Sequence, residues 1–286
     1  MLLIKESISM RKRIEGKTFC GETVLQDLAR VSIYDCVFAG GEYALKGSRD
    51  IILDNCNLYA KYPLWDVADF KINDCRMFAQ AEGPICGANG GKIIDSDIRG
   101  IQALRDCQNI VLHDCTITSP EFGWKSSDIT IADSNIHAAY LLHKSNNIRL
   151  NNVEVRGDFS FQYVDTLHVG NCYIHSNEAF RYSKNVTVAD SVIQGTCIGW
   201  YSENLTLIGC KIIGKHPLCH CKNLKLIDCV MEDAVQAFEG SDVKASISGH
   251  VASVKNPLSG RIVADAIGEV LMDEDKESAC KIQIRG

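Results

Sequence analysis

The chain has 286 residues, 46% of them hydrophobic, and a formal net charge of −6. That hydrophobic content supports a continuous core and excludes a disordered chain, while the charge excludes a generally basic nucleic-acid surface, though not a local patch. Fourteen cysteines accompany an N-terminus whose only apolar run is Met1 to Ile4, too short for the core of an export signal, so reduced thiols in a cytoplasmic protein are expected rather than a disulfide framework.

In chain order, residues 1–28 precede any regular pattern and are expected to cap one end. A repeat then occupies 29–240. Its markers are Cys36, Cys56, Cys75, Ser96, Cys115, Ser134, Val153, Cys172, Ser191, Cys210 and Cys229, spaced by 20, 19 and 21 residues and then by seven intervals of 19. A register held that long defines one elongated unit over 1–286. Around each marker apolar residues alternate with period two: Ile110 and Leu112 before Cys115, and Ile117 after it. Such alternation means half-buried strands, with the small marker also inward and residues such as Thr130, Arg149 and His168 outward. Asp or Asn usually precedes the marker (Asp74, Asp114, Asp133) and suits a bend between strand segments.

A second small-residue column lies eleven after the marker (Cys107, Ser126, Ser145, Ser183, Ser202, Cys221), followed two residues later by Asn109, Asp128, Asn147, Asn185, Asn204 and Asn223. Asn and Asp tolerate left-handed backbone, so this column is a stacked turn. Cysteine in both columns reads as a small hydrophobe. Residues 241–286 continue with alternating strands (VKASISG, GRIVADAIGEVLM, KIQIRG), expected as irregular coils or a closing cap.

The pattern predicts an all-β chain: a single-stranded right-handed parallel β-helix of about a dozen coils of 19 residues. A leucine-rich repeat is the rival, but 19 residues leave little room for its convex-side helix. The remaining segments (PEFGWKS, DFSFQYV, GTCIGWYS) are aromatic and β-prone, without helical spacing.

Those segments also carry side chains that a bare scaffold does not require. Nine residues after successive markers stand Trp65, Arg105, Trp124, His143, Arg181 and Trp200; ten after, Asp66, Asp106, Tyr163, Tyr182 and Tyr201; six after, Glu121 and Glu178. Rings interleaved with charges suit the faces and hydroxyls of a sugar chain. Trp65, Trp124, Trp200, Arg181, Tyr163, Tyr182, Tyr201 and Glu178 are the candidate substrate-binding residues. The candidate catalytic residues are Glu121, Asp106, Arg105 and His143. A glycosidase needs two carboxyl groups roughly 5 to 9.5 Å apart, and Asp106 with Glu121 is a neighbouring-coil pair. A lyase needs a base such as Arg105, Lys125 or Lys144. Stacked rings and mixed charges equally serve a plain sheet face, and the Tyr163, Tyr182, Tyr201 ladder leans that way.

HPLCHC at 216–221 offers soft metal ligands, but Cys221 falls in the inward column while His220 points outward, so no metal site is expected. No nucleotide-binding or serine-hydrolase motif is present, and no cofactor is expected.

YPLW (62–65), EFGW (121–124), FSFQY (159–163), WYSENLTLIGC (200–210), HPLCHC (216–221), AFE (237–239) and VKNPLSG (254–260) resemble a mostly bacterial family of pectin-lyase-like β-helix proteins, known as a domain of unknown function. The resemblance covers nearly the whole chain and implies a right-handed parallel β-helix. It carries no activity and transfers no catalytic residue. The chain departs from the family pattern at Asp66 and Arg181, where His and Trp are frequent.

Two functions are weighed: carbohydrate binding or processing along the side face, with an oligosaccharide or sugar conjugate as partner, and a non-catalytic scaffold or protein-interaction solenoid. Neither nucleic acid nor membrane is an expected partner; an oligomer would form through an end or the side face.

Overall fold

The computed structural model describes residues 11–285; the apolar run Met1 to Ile4 lies outside the described residues. The chain is a parallel β-solenoid of about 14 turns at about 19-residue spacing, without a helix among the described residues. One coil shows why. In strand Gln108–His113, Ile110 and Leu112 point inward and are fully buried while Val111 faces out. Asp114, at φ 53°, turns the chain. Cys115 then points in, and Thr116–Thr118 places Ile117 in the core. Neighbouring coils pair in register, Ile110 opposite Ile129, Ile129 opposite Ile148, and Ile148 opposite Leu167. Each such side chain contributes roughly 1.5–3 kcal/mol on full burial.

The small inward columns also bond. The backbone N–H of Cys115 donates to Ser134 Oγ in the next coil at 3.0 Å, and Ser134 Oγ donates to the Ala132 carbonyl at 2.6 Å. In the second column the N–H groups of Cys107 and Ser126 donate to Ser126 Oγ and Ser145 Oγ, each at 3.0 Å. A bend leaves one N–H facing the interior, and an unpaired buried donor costs about 1–3 kcal/mol. Ser and Cys alternate in these columns because both offer an acceptor and a donor. The column cysteines are buried in the hydrophobic core as expected of small hydrophobes, and their thiols also join the hydrogen-bonded ladder.

The outer bends behave as expected. Asp133, Asn152, Asn185, Asn204 and Asn223 all have φ between 50° and 57°. Asn204 donates to Asn185 Oδ1 at 2.9 Å and Asn223 to Asn204 Oδ1 at 2.8 Å. The N-terminal end is more regular than expected, and the C-terminal coils carry the expected irregularity. Lys12–Glu15 pairs in parallel with Ala29–Tyr34, so the second half of the expected N-terminal cap belongs to a regular coil. Asp242–Lys255, Ser259–Leu271 and Ala279–Ile284 extend the same parallel stack, with register shifts near Leu226/Cys229 and Ile247/His250. These additions bring the coil count above a dozen.

Candidate functional site

The segment six to ten residues after the marker is a stack of turns in most coils; among the described residues only Leu64–Trp65 and Ile85–Cys86 pair there as short parallel strands. Large residues take positive φ at alternate positions: Tyr140, Leu142 and Lys144 in one coil, Phe159, Phe161 and Tyr163 in the next, then Glu178, Phe180 and Tyr182. Left-handed backbone costs such residues roughly 1–2 kcal/mol each. Alternation turns successive N–H groups toward opposite neighbours. Leu142 N–H donates back to the Phe122 carbonyl at 2.7 Å, and Lys144 N–H donates forward to Gln162 at 3.1 Å. The backbone therefore stays paired, while the eighth position drops inward, where Phe161 stacks on Phe180 with ring centroids 5.2 Å apart. Sixth and tenth residues point out, and the ninth residues Trp65, Trp124, His143, Arg181 and Trp200 lie half-buried between them.

The candidate residues on this face divide into two groups. In the first, Tyr163, Tyr182, Tyr201 and His220 stack ring on ring at 5.0, 5.1 and 4.8 Å, with interplanar angles of 11° to 19°. The tyrosines remain 47%, 37% and 42% exposed, yet each internal ring has both faces covered and offers only its edge and hydroxyl. Arg181 pairs with Glu178 and lies over the Tyr182 ring at 5.1 Å. Trp200 donates its indole N–H to the His216 carbonyl at 2.7 Å. His143 packs edge-on to Trp124 and to Tyr163, each at 5.4 Å. Burial, and after it Lys144, holds the His143 imidazole below its usual range, against an opposing pull from Glu121. Trp124 Nε1, His143 Nδ1 and Arg181 Nε are buried without a hydrogen-bond partner, all in the ninth column.

The second group lines an open cleft of about 520 Å³, spanning Tyr62, Trp65, Asp66, Glu82, Gly83, Cys86, Gly87, Ile101, Gln102, Arg105 and Asp106. Its origin is local. The 21-residue interval between Cys75 and Ser96 places Gly83 and Gly87 where flanking coils carry large side chains. A Cβ on Gly83 would sit 2.5 Å from Cys86 Sγ and 3.2 Å from the Tyr62 ring, and one on Gly87 (φ 63°) would meet Asp66 Oδ1 at 2.3 Å. Glycine at both positions lets the Tyr62 ring, the Cys86 thiol and the Asp66 carboxylate close in on the backbone, and the open space of the cleft lies between two lips. One lip is aromatic: Trp65 stands edge-on to Tyr62 at 5.3 Å and to Tyr43 at 6.0 Å. The Tyr62 hydroxyl donates to Glu82, which pushes the phenol up to about 12. The other lip is a polar chain. Arg105 donates to Asp106 at 3.1 Å and to Gln102 Oε1 at 2.7 Å, and Gln102 donates to Glu121. Burial pushes the Cys86 thiol on the floor up to about 11.

Arg105, Asp106 and Glu121 are thus joined through Gln102, and Trp65 faces them across the cleft. His143 lies near Glu121 but belongs to the packed group. Glu178, Arg181, Trp200, Tyr182 and Tyr201 do not converge on the cleft: Arg181 is four coils beyond Arg105, ~19 Å along the stack. Tyr62, Glu82, Gln102 and the two glycines were not among the candidates. Their signal was the 21-residue interval with Gly83 and Gly87 inside it. In HPLCHC, His220 lies on the tyrosine stack while Cys221 is buried and accepts from Ser202. No three His, Cys, Asp or Glu side chains gather to hold a metal among the described residues.

Fold and face together define a parallel β-solenoid with a polar and aromatic cleft cut into its turn side. The chain belongs to the family described as "Protein of unknown function (DUF3737)", whose model matches residues 12–285. No curated protein matches the chain. Among solved structures it is similar to the pentapeptide repeat protein HetL from Nostoc sp. strain PCC 7120, at 11% identity over 81% of this chain and 92% of that one, with a TM-score of 0.30. It is similar to the A-module of the Azotobacter vinelandii mannuronan C-5 epimerase AlgE4 at 11% identity, covering 95% of this chain and 89% of that one, with a TM-score of 0.29. For the periplasmic alginate epimerase AlgG the values are 11%, 90%, 77% and 0.31.

Proposed function

We propose that the chain binds a short oligosaccharide or sugar conjugate in the cleft between Trp65 and Arg105, and that the tyrosine stack beyond it is scaffold. The observation that carries this reading is the pairing of two unlike lips across one cleft. An aromatic lip faces a lip whose donors and acceptors are already oriented by the Glu121–Gln102–Arg105–Asp106 chain. Sugars need both kinds of surface, an apolar plane for their C–H faces and fixed polar groups for their hydroxyls. Binding is favoured over turnover because Asp106 and Glu121 are each engaged by a neighbouring donor, in an arrangement that holds hydroxyls in place. Free thiols throughout the chain agree with a cytoplasmic setting, where a short glycan or conjugate is the fitting ligand.

The test is an oligosaccharide array probed with the wild-type chain, Trp65→Ala and Arg105→Gln. Wild type should select a subset of glycans. Removing the Trp65 indole should abolish that signal, and Arg105→Gln, an exposed change that leaves the core intact, should weaken it at least tenfold. Absence of any bound sugar, or variants indistinguishable from wild type, would leave the scaffold as the function.

A further inference from the structure

A second feature lies on a different face of the solenoid. The outward position four residues before each marker forms one continuous column, running coil by coil from Arg13 to Lys281. In a chain with 36 acidic and 30 basic residues, this column holds no aspartate or glutamate at any coil. Toward the N-terminal end its cations, Lys71 and Lys92, have Asp69 and Asp50 in the adjacent left-handed bend column. At the C-terminal end that column offers four cations a single carboxylate, Asp242, which accepts from Ser259. Lys225 stands opposite Lys244, Lys244 opposite Arg261, and Arg261 opposite Lys281. All four are exposed, and none forms an ion pair among the described residues. The Arg261 guanidinium donates to Gln283, a neutral partner.

Like charges directly opposite in a sheet are destabilising, so four in succession at ~4.8 Å need a reason outside the fold. The flanking outward residues Ile227 and Ser246 are uncharged, and with Leu226, Ala245 and Gly260 they complete a shallow trough of about 570 Å³. Ile227 is 44% exposed beside it.

We propose that this stripe is a binding site for a linear polyanion, an acidic polysaccharide laid along the solenoid with anionic groups facing successive coils. Charge complementarity supplies the attraction, and the coil spacing supplies the periodicity. The four-residue stripe contains no aromatic ring on which bases could stack, as single-stranded nucleic acid requires. A broad sheet face also cannot enter a duplex groove, which admits a helix or a two-stranded ribbon. The stripe is separate from the cleft, and neither reading depends on the other.

The experiment measures binding of polygalacturonate and, in parallel, single-stranded DNA of matched charge by titration calorimetry at low and raised salt. It compares wild type with a variant carrying Lys225→Gln, Lys244→Gln, Arg261→Gln and Lys281→Gln. A control variant removes equal charge elsewhere through Lys17→Gln, Lys184→Gln, Lys215→Gln and Lys276→Gln. The proposal expects salt-sensitive polygalacturonate binding, weakened at least tenfold by the stripe variant and less than twofold by the control. No polygalacturonate binding at low salt, equal losses in both variants, or tighter binding of DNA through the same four residues would overturn it. Because all substituted residues are exposed, circular dichroism should report an unchanged fold.

Discussion

Two stretches of the same turn face, built on the same repeat positions, end in opposite states. Around Tyr163, Tyr182, Tyr201 and His220 the tenth column is filled in every coil, and the rings use their faces on one another. Around Trp65 and Arg105 the column carries no stacked rings, and the groups on either side of the cleft keep free surface toward solvent. The same repeat positions therefore give a closed ring stack in one stretch and an open cleft in the other. An unbroken row of aromatics, which reads as the richest binding surface in a linear sequence, is the better candidate for scaffold.

The comparison is broken most severely from beneath the packed stretch. Phe161→Ala removes a fully buried ring that stacks on Phe180 and should lower unfolding free energy by about 3–5 kcal/mol in chemical denaturation. Each coil contacts mainly its neighbours, so glycan binding at the cleft should survive below the unfolding transition. Loss of binding would mean that the two stretches are coupled. A smaller change sharpens the contrast at the surface. Tyr182→Ala removes two ring stacks worth roughly 0.5–1.5 kcal/mol each and should lower stability by about 1–2 kcal/mol, whereas Tyr182→Phe should be silent because stacking survives.

The smallest effect concerns His143, where the packed stretch approaches the cleft. Its imidazole is held below the ordinary histidine value chiefly by burial, so the folded chain binds fewer protons there than the unfolded chain. Stability should then fall as pH is lowered through the ordinary histidine range toward the depressed folded value, and should level off below it. His143→Gln should flatten that part of the profile in denaturation curves recorded from pH 7.5 to 5. An unchanged slope would show that the ring is solvated.

Most of the fold was legible because period-two alternation and the 19-residue register leave few alternatives. Ile110, Leu112 and Ile117 are inward as their spacing demands, and the Asn column turns left-handed as its chemistry allows. The aromatic segments read as β-prone because Phe and Tyr favour strands. That preference was overridden at Tyr140, Phe161 and Tyr182, where alternating left-handed backbone places every third-side N–H on a neighbouring coil. Hydrogen bonding by the inward Ser and Cys columns was also hidden, since a spacing shows that a residue is inside but not which N–H faces it. The candidate site was half-legible. Of the candidates chosen by residue type, Arg105, Asp106 and Glu121 are joined through Gln102, and Trp65 lines the same cleft. Which candidates share a cleft depended on the side-chain packing around the 21-residue coil, which a repeat spacing does not report.

The most direct test of the division is a paired titration. A glycan selected by the wild-type chain would be titrated calorimetrically into Trp65→Ala and Tyr182→Ala under conditions where both are folded. The account predicts that Trp65→Ala weakens binding at least tenfold, about 1.4 kcal/mol, while Tyr182→Ala stays within twofold of wild type. Full binding by Trp65→Ala together with loss in Tyr182→Ala would contradict it, and would move the site onto the tyrosine stack.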